Sequence, residues 1–335
     1  MERTAPDPAG AAAGGEAGIL GRPANGVATV APGARRPLVF GWAMAVEGGR
    51  DEAMVRLCAR LSGGRWVDAL GAAQAAGLRD VAFALPADEG PSEDRAEAGA
   101  AAIGRRFRDE GVRIAMVEAD VDLRDPEPEA GRRAVERLRR LLALTAEVGA
   151  DALATAGGGP AASGAPAVAL PGRDPLDRVA EALRLALEES SEGGPGVGLL
   201  LHTRAGAAAD SLLRAAEAVR RVAHPAFGLF FDPVELITLD TYHDNGSFLR
   251  RSARQLGGAL RACAGRDVLL RPEGFAYRLQ EVALGRGALD YPGLLAALDA
   301  RPEAVDLCVG GPTIEDVVAA AQAGRAALAR AAGQR

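Results

Sequence analysis

The chain has 335 residues, 48% of them hydrophobic, and a formal net charge of -6. That length and apolar share support one large core of the α/β barrel class, and the acidic balance excludes the clustered basic face with which nucleic-acid binders displace counterions from phosphates. No lysine occurs anywhere in the sequence, which excludes Schiff-base and lysine general-base chemistry.

Residues 1–36 are mostly Ala, Gly and Pro, too poor in large apolar side chains to offset their ordering entropy, and read as a disordered tail. The expected organisation is that tail followed by a single barrel over residues 37–332. No basic segment leads into an apolar one near the start, and no apolar run is long enough to span a bilayer. Cys58, Cys263 and Cys308 are far apart and without C-x-x-C spacing, as in a reduced, cytoplasmic protein.

After Pro37, short apolar runs alternate with longer amphipathic segments, the signature of parallel strands separated by helices. The expected strands are Leu38–Ala45, Val81–Leu85, Arg113–Glu118, Ala152–Ala156, Val197–His202, Gly228–Asp232, Ala259–Ala264 and Val305–Val309. Between them, segments such as Arg132–Val148 and Pro175–Ser190 carry apolar residues three and four apart and predict the outer helices. Eight such units give a (β/α)8 TIM barrel. A doubly wound sheet would show G-x-G-x-x-G after its first strand, and Val46-Glu47-Gly48-Gly49-Arg50 lacks it.

In such a barrel the chemistry lies at the C-terminal strand ends, which here present Glu47, Glu118 with Asp120 and Asp122, Thr155, His202 with Arg204, Asp232 with Glu235, Arg266 with Asp267, and Gly310-Gly311. His224, before Pro225, reads as structural. His243 falls in a polar loop near the mouth. Gly157-Gly158-Gly159 offers backbone amides after the fourth strand. Asp290, before Tyr291-Pro292, is placed to cap a helix.

The segments Asp232-Pro-Val-Glu235-Leu-Ile, Leu256-Gly-Gly followed by Arg266-Asp267-Val268, and Glu281-Val-Ala-Leu-Gly-Arg-Gly-Ala-Leu-Asp290-Tyr291 together resemble the xylose isomerase-like family of sugar-phosphate isomerases and epimerases. The resemblance implies a sugar or polyol ligand, free or phosphorylated. It implies a homodimer, and a divalent cation, manganese or magnesium, held by a Glu, an Asp, a His and a Glu on strands five to eight. Carried onto this chain, the Asp is Asp232. The His falls at Ala264, no carboxylate stands in Leu307–Gly310, and the first Glu falls at Leu200 or Leu201, or at His202 after a slip of one residue. The expectation is therefore a degenerate metal site with Asp232 as its remaining ligand and no cofactor firmly bound.

Two functions follow from that resemblance. In the first, His202, Asp232 and Glu235 carry proton transfer while Arg204, Arg266 and Asp267 contact the substrate, the arginine suiting a phosphate or carboxylate. In the second, a non-catalytic relative keeps a ligand pocket that is apolar at Leu201, Ala264 and Val309. A zinc-cluster endonuclease on the same fold is excluded by the presence of only three histidines.

Overall fold

A computed structural model describes residues 54–61, 66–84, 93–158, 174–190 and 196–333. Eight parallel strands form a closed ring: β1 (Val55–Leu61), β2 (Asp80–Ala84), β3 (Arg113–Glu118), β4 (Ala152–Thr155), β5 (Gly198–His202), β6 (Phe227–Phe231), β7 (Leu260–Glu273) and β9 (Val305–Gly311). β1 pairs with both β2 and β9, and β6 pairs with β7, so the sheet has no open edge along the ring. The outer layer comprises α1 (Trp66–Ala76), α2 (Glu93–Asp109), α3 (Pro128–Val148), α4 (Pro175–Ser190), α5 (Leu212–Val222), the short α6 (Pro233–Leu236) and α7 (Leu239–Tyr242), α8 (Asn245–Leu256), α9 (Tyr291–Asp299) and α10 (Ile314–Ala332). This is a (β/α)8 TIM barrel. None of the described helices is long and apolar enough to cross a membrane.

The expected tail and the expected strand Leu38–Ala45 lie outside the described residues, as does Glu47. The ring closes without that strand, because its first member is β1, Val-Arg-Leu-Cys-Ala-Arg-Leu. A second difference is β8 (Ala276–Ala283), which pairs antiparallel with the outer half of β7 from Arg266↔Ala283 to Glu273↔Ala276. Its exposed, polar positions gave no strand pattern.

Strand alternation sorts the core into two parts. Inward positions form a narrow plug of Cys58, Ala82, Ala115, Met116, Ala152, Ala154, Leu200, Phe230, Ala262, Ala264 and Cys308. Mostly small side chains fill the interior, with Phe230 and Leu200 taking up the remaining volume. Outward positions such as Leu201, Leu229, Leu307 and Val309 pack under the helices in the larger core. The helices are cut where their ends are satisfied: α3 starts on the Glu127 side chain, which accepts from Ala130 N, and stops at Gly149, whose φ of 76° suits a residue without Cβ.

Both ends of the plug are ionic. At the N-terminal end Arg113 bonds Asp80, Asp151 and Asp306, and Arg56 reaches Asp306 at 2.9 Å. Burial raises the Asp306 carboxyl even against the Arg113 and Arg56 charges. That end holds the barrel together; the other end is open.

Candidate functional site

At the C-terminal end the inward residues one step above the plug are Arg60, Glu118, His202, Asp232, Arg266 and Gly310. A cavity of about 470 Å³ opens over them, lined by all of these except the buried Asp232 and also by Asp120, Thr155, Arg204, Glu235, Glu281, Cys308 and Gly311. The volume falls in the range of small-molecule sites.

Two arginines organise its floor. Arg60 forms a two-pronged pair with Glu118, Nε to Oε1 at 2.6 Å and Nη2 to Oε2 at 2.8 Å, and its guanidinium lies 5.5 Å from the Phe230 ring centre. Burial would raise the Glu118 carboxyl, but the Arg60 charge outweighs it and holds the group below the usual range. Arg266, on β7, meets three carboxylates from three elements. Its Nη2 bonds Asp232 Oδ2 and lies 3.1 Å from Glu235 Oε1, and its Nη1 lies 2.6 Å from Glu281 Oε2.

Asp232 is fully buried beneath this cluster. Its Oδ1 accepts from Val234 N, capping α6 as its place before Pro233 suggested, and Thr203 Oγ1 accepts from Asp232 N. Burial pushes the carboxyl up, yet His202 and Arg266 more than offset it and bring it down to about 2. His202 stacks on Phe230, with ring centres 4.3 Å apart, and its Nε2 lies 3.5 Å from Asp232 Oδ2 without the alignment of a hydrogen bond. On the rim, Arg204 Nη1 meets Asp120 Oδ2 at 3.0 Å, Asp120 Oδ1 accepts from Ala156 N, and Glu235 Oε2 accepts from Ala205 N.

The structure thus brings His202, Asp232, Glu235, Arg266 and Arg204 to one mouth. Asp267 is not among them. One residue further along β7 it faces the opposite way, is 2% exposed, and accepts backbone amides from Val268 and Leu289 on Oδ1 and from Gly285 on Oδ2. Its position is that of a staple for the chain returning from β8, and it contributes nothing to the cavity wall. The apolar pocket expected at Leu201, Ala264 and Val309 is also replaced. Leu201 and Val309 face the helices, Ala264 belongs to the plug, and the cavity wall is charged.

Arg60 is not among the residues the sequence offered for the site, and Glu281 entered only as the first residue of a segment carrying the resemblance, with no role at the mouth. Arg60 is the third inward residue of β1, a strand whose alternation of arginine with apolar residues is its only signal, and Glu281 sits on the unforeseen β8. Asp122 pairs with Arg124, and His243 lies against Tyr242; neither lines the cavity. His224 Nδ1 accepts from Ala226 N, and Asp290 caps α9 through Gly293 N, both as their sequence positions suggested. Gly159 lies outside the described residues.

The residues do not fit a divalent cation. Such an ion needs several oxygen or nitrogen donors converging on one open point, whereas Asp232, Glu235 and Glu281 converge on a guanidinium that fills that point. Among the described residues no three His, Cys, Asp or Glu side chains are arranged to hold a metal. Within Leu307–Gly310, where the resemblance looks for a glutamate, Gly310 has no room for a side chain: even a Cβ there would lie 1.7 Å from the Arg60 carbonyl oxygen.

A family model described as xylose isomerase-like TIM barrel matches residues 70–330. Among solved structures, the chain is similar to L-ribulose 3-epimerase, with 18% identity over 84% of this chain and 96% of that one and a TM-score of 0.62. It is similar to D-psicose 3-epimerase with D-tagatose from Clostridium cellulolyticum H10, with 13% identity over 83% of this chain and 98% of that one and a TM-score of 0.60. It is also similar to the IolI protein with a bound zinc atom, with 13% identity over 82% of this chain and 98% of that one and a TM-score of 0.58. No curated protein matches the sequence.

Proposed function

The chain belongs to the xylose isomerase-like TIM-barrel family, and on that premise we propose that its mouth binds a small, uncharged sugar or polyol and serves a sugar isomerase- or epimerase-like role without a metal ion. The observation that carries this reading is the charge pattern of the cavity. Three guanidiniums, of Arg60, Arg204 and Arg266, face the carboxylates of Glu118, Asp120, Glu235 and Glu281, with that of Asp232 beneath them, a balance of -2 before His202 is counted. The wall carries both guanidinium donors and carboxylate acceptors, as a polyhydroxylated ligand requires, since each hydroxyl both gives and takes a hydrogen bond. An anionic ligand meets a net negative wall, and Arg266, which the sequence suggested as its contact, is already bonded to three carboxylates. The structural neighbours named for L-ribulose and D-psicose epimerisation support a free sugar as the ligand class.

Moving a proton between neighbouring carbons needs a base within reach of the ligand. His202 is the group that suits it: its side chain lines the cavity and Phe230 fixes its plane, while its buried Nε2 lies 3.5 Å from Asp232 Oδ2. Glu235, with one oxygen on Arg266 and the other on Ala205 N, orients the cluster.

One observation favours a second reading, a barrel that binds its ligand without turning it over. Every carboxylate of the mouth is bonded to an arginine, so none of them is free to take a proton from the ligand without first giving up that partner.

Incubating the chelator-treated protein with free four- to six-carbon ketoses in D2O separates the two. Deuterium appearing at the carbon beside the carbonyl, and lost in His202→Gln, supports proton transfer. Saturable binding with no deuterium supports the binding-only reading, and neither binding nor exchange across the panel contradicts the proposal.

A further inference from the structure

We propose that Arg266 is a resident cation: its guanidinium occupies the point at which Asp232, Glu235 and Glu281 would otherwise take up a divalent metal ion, and so makes the mouth metal-independent by construction.

The three carboxylates come from the end of β6, from α6 and from β8, so no single element gathers them; their common feature is the one side chain they all touch. Asp232 Oδ2, the innermost of these oxygens, has both Arg266 Nη2 and His202 Nε2 against it. A cation bound there would need that oxygen, and would have to displace a positive charge already bonded to it. The guanidinium is also held from behind. Tyr291 OH lies against the carbonyl oxygens of Ala264 and Arg266 and shares its one proton between them, fixing the strand that carries the arginine, and Arg266 is mostly buried, with 20% of its side chain exposed.

Net charge alone does not keep a metal out, since one guanidinium against three carboxylates leaves the cluster at -2; what keeps it out is that the guanidinium already takes the carboxylate oxygens a metal would need. Taking the arginine away leaves Asp232, Glu235 and Glu281 without the cation that gathers them, free to close instead on a hard cation such as manganese or magnesium. A metal site and an arginine therefore exclude one another here, and the chain encodes the arginine. The consequence for the ligand rests on the proposed function; the exclusion of metal does not, and it is tested with metal alone.

The test is calorimetric titration of manganese chloride into chelator-treated protein, wild type against Arg266→Met, which keeps the apolar stem and removes the charge, with Arg266→Gln as the second variant. Circular dichroism establishes which variants are folded. Wild type is expected to show no saturable binding in the cavity. A folded variant is expected to bind one equivalent at least about thirty-fold tighter than wild type, and to lose it again when Asp232→Asn is added. Stoichiometric manganese on wild type that disappears in Asp232→Asn would overturn the proposal. So would a folded Arg266 variant that binds manganese no better than wild type. Either result leaves the sugar-binding reading to stand or fall on its own experiment.

Discussion

Replacing Asp267 by alanine should unfold the protein far more readily while leaving the ligand site intact. The side chain is 2% exposed and accepts three backbone amides, Val268 N at 2.9 Å, Leu289 N at 3.0 Å and Gly285 N at 3.1 Å. Hydrogen bonds to a charged acceptor contribute about 1.5–3 kcal/mol each, and a buried amide left without a partner costs about 1–3 kcal/mol. Water entering the vacated space recovers part of this. Counting two of the three amides as stranded gives a loss of about 3–5 kcal/mol for Asp267→Ala. Asp267→Asn keeps one carbonyl oxygen and turns an amino group toward the remaining donor, for a loss of about 2 kcal/mol. The crowding at Gly287, where an added Cβ would lie 2.2 Å from Asp267 Oδ1, leaves no room for the loop to rearrange around a new side chain. Urea unfolding followed by circular dichroism, with the midpoint and slope fitted separately, measures the loss, and ligand affinity is measured on the folded fraction. An Asp267→Ala protein of nearly wild-type stability with weakened ligand binding would refute the reasoning and restore the residue to the substrate wall.

Gly310→Ala places a Cβ 1.7 Å from the Arg60 carbonyl oxygen, so β1 and β9 must separate; a loss of about 3 kcal/mol is expected in the same assay, and an unchanged midpoint would contradict the packing of the mouth. The carboxyl of Asp232 lies at about 2 in the folded chain, below the 3.8 of an unperturbed aspartate. Its contribution, about 2 kcal/mol, is therefore present above about pH 4 and lost as the pH falls through 2. Asp232→Asn should be less stable than wild type at pH 7, and the difference should shrink on acidification; a constant difference from pH 6 to pH 2 would show that the depressed carboxyl is not its source. Arg60→Met, which leaves Glu118 buried without its partner, should cost about 2–3 kcal/mol and weaken ligand binding; tighter binding in thermal-shift titrations would mean that Arg60 blocks the cavity.

The parts of the fold readable in the sequence are those where strand and burial coincide. β4, β5 and β6 are continuous apolar runs because both faces are covered, one by the plug and one by helices, and their bounds fall within a residue or so of those expected. β1 was missed because its inward residues at both ends, Arg56 and Arg60, belong to the two ionic layers, so the strand looks charged although it is central. β8 was missed because it leaves the barrel and buries little.

The site was legible to a similar degree. Resemblance located Asp232 and Glu235, and the end of an apolar strand located His202. What a one-dimensional reading could not supply is which neighbour faces inward: Arg266 and Asp267 are adjacent, and strand alternation sends the first into the mouth and the second into the loop behind it. Nor does the sequence state that Glu281 joins Asp232 and Glu235 on one arginine, because β8 meets the end of β6 and α6 only in the folded barrel.

The most direct measurement is a pair of calorimetric titrations of chelator-treated wild-type protein, one with a free ketose that binds and one with its monophosphate. The charge balance of the mouth predicts saturable binding of the free sugar and at least about ten-fold weaker binding of the phosphate, with the difference reduced at high salt. Tighter binding of the phosphate, or binding of either only after manganese is restored, would contradict the account.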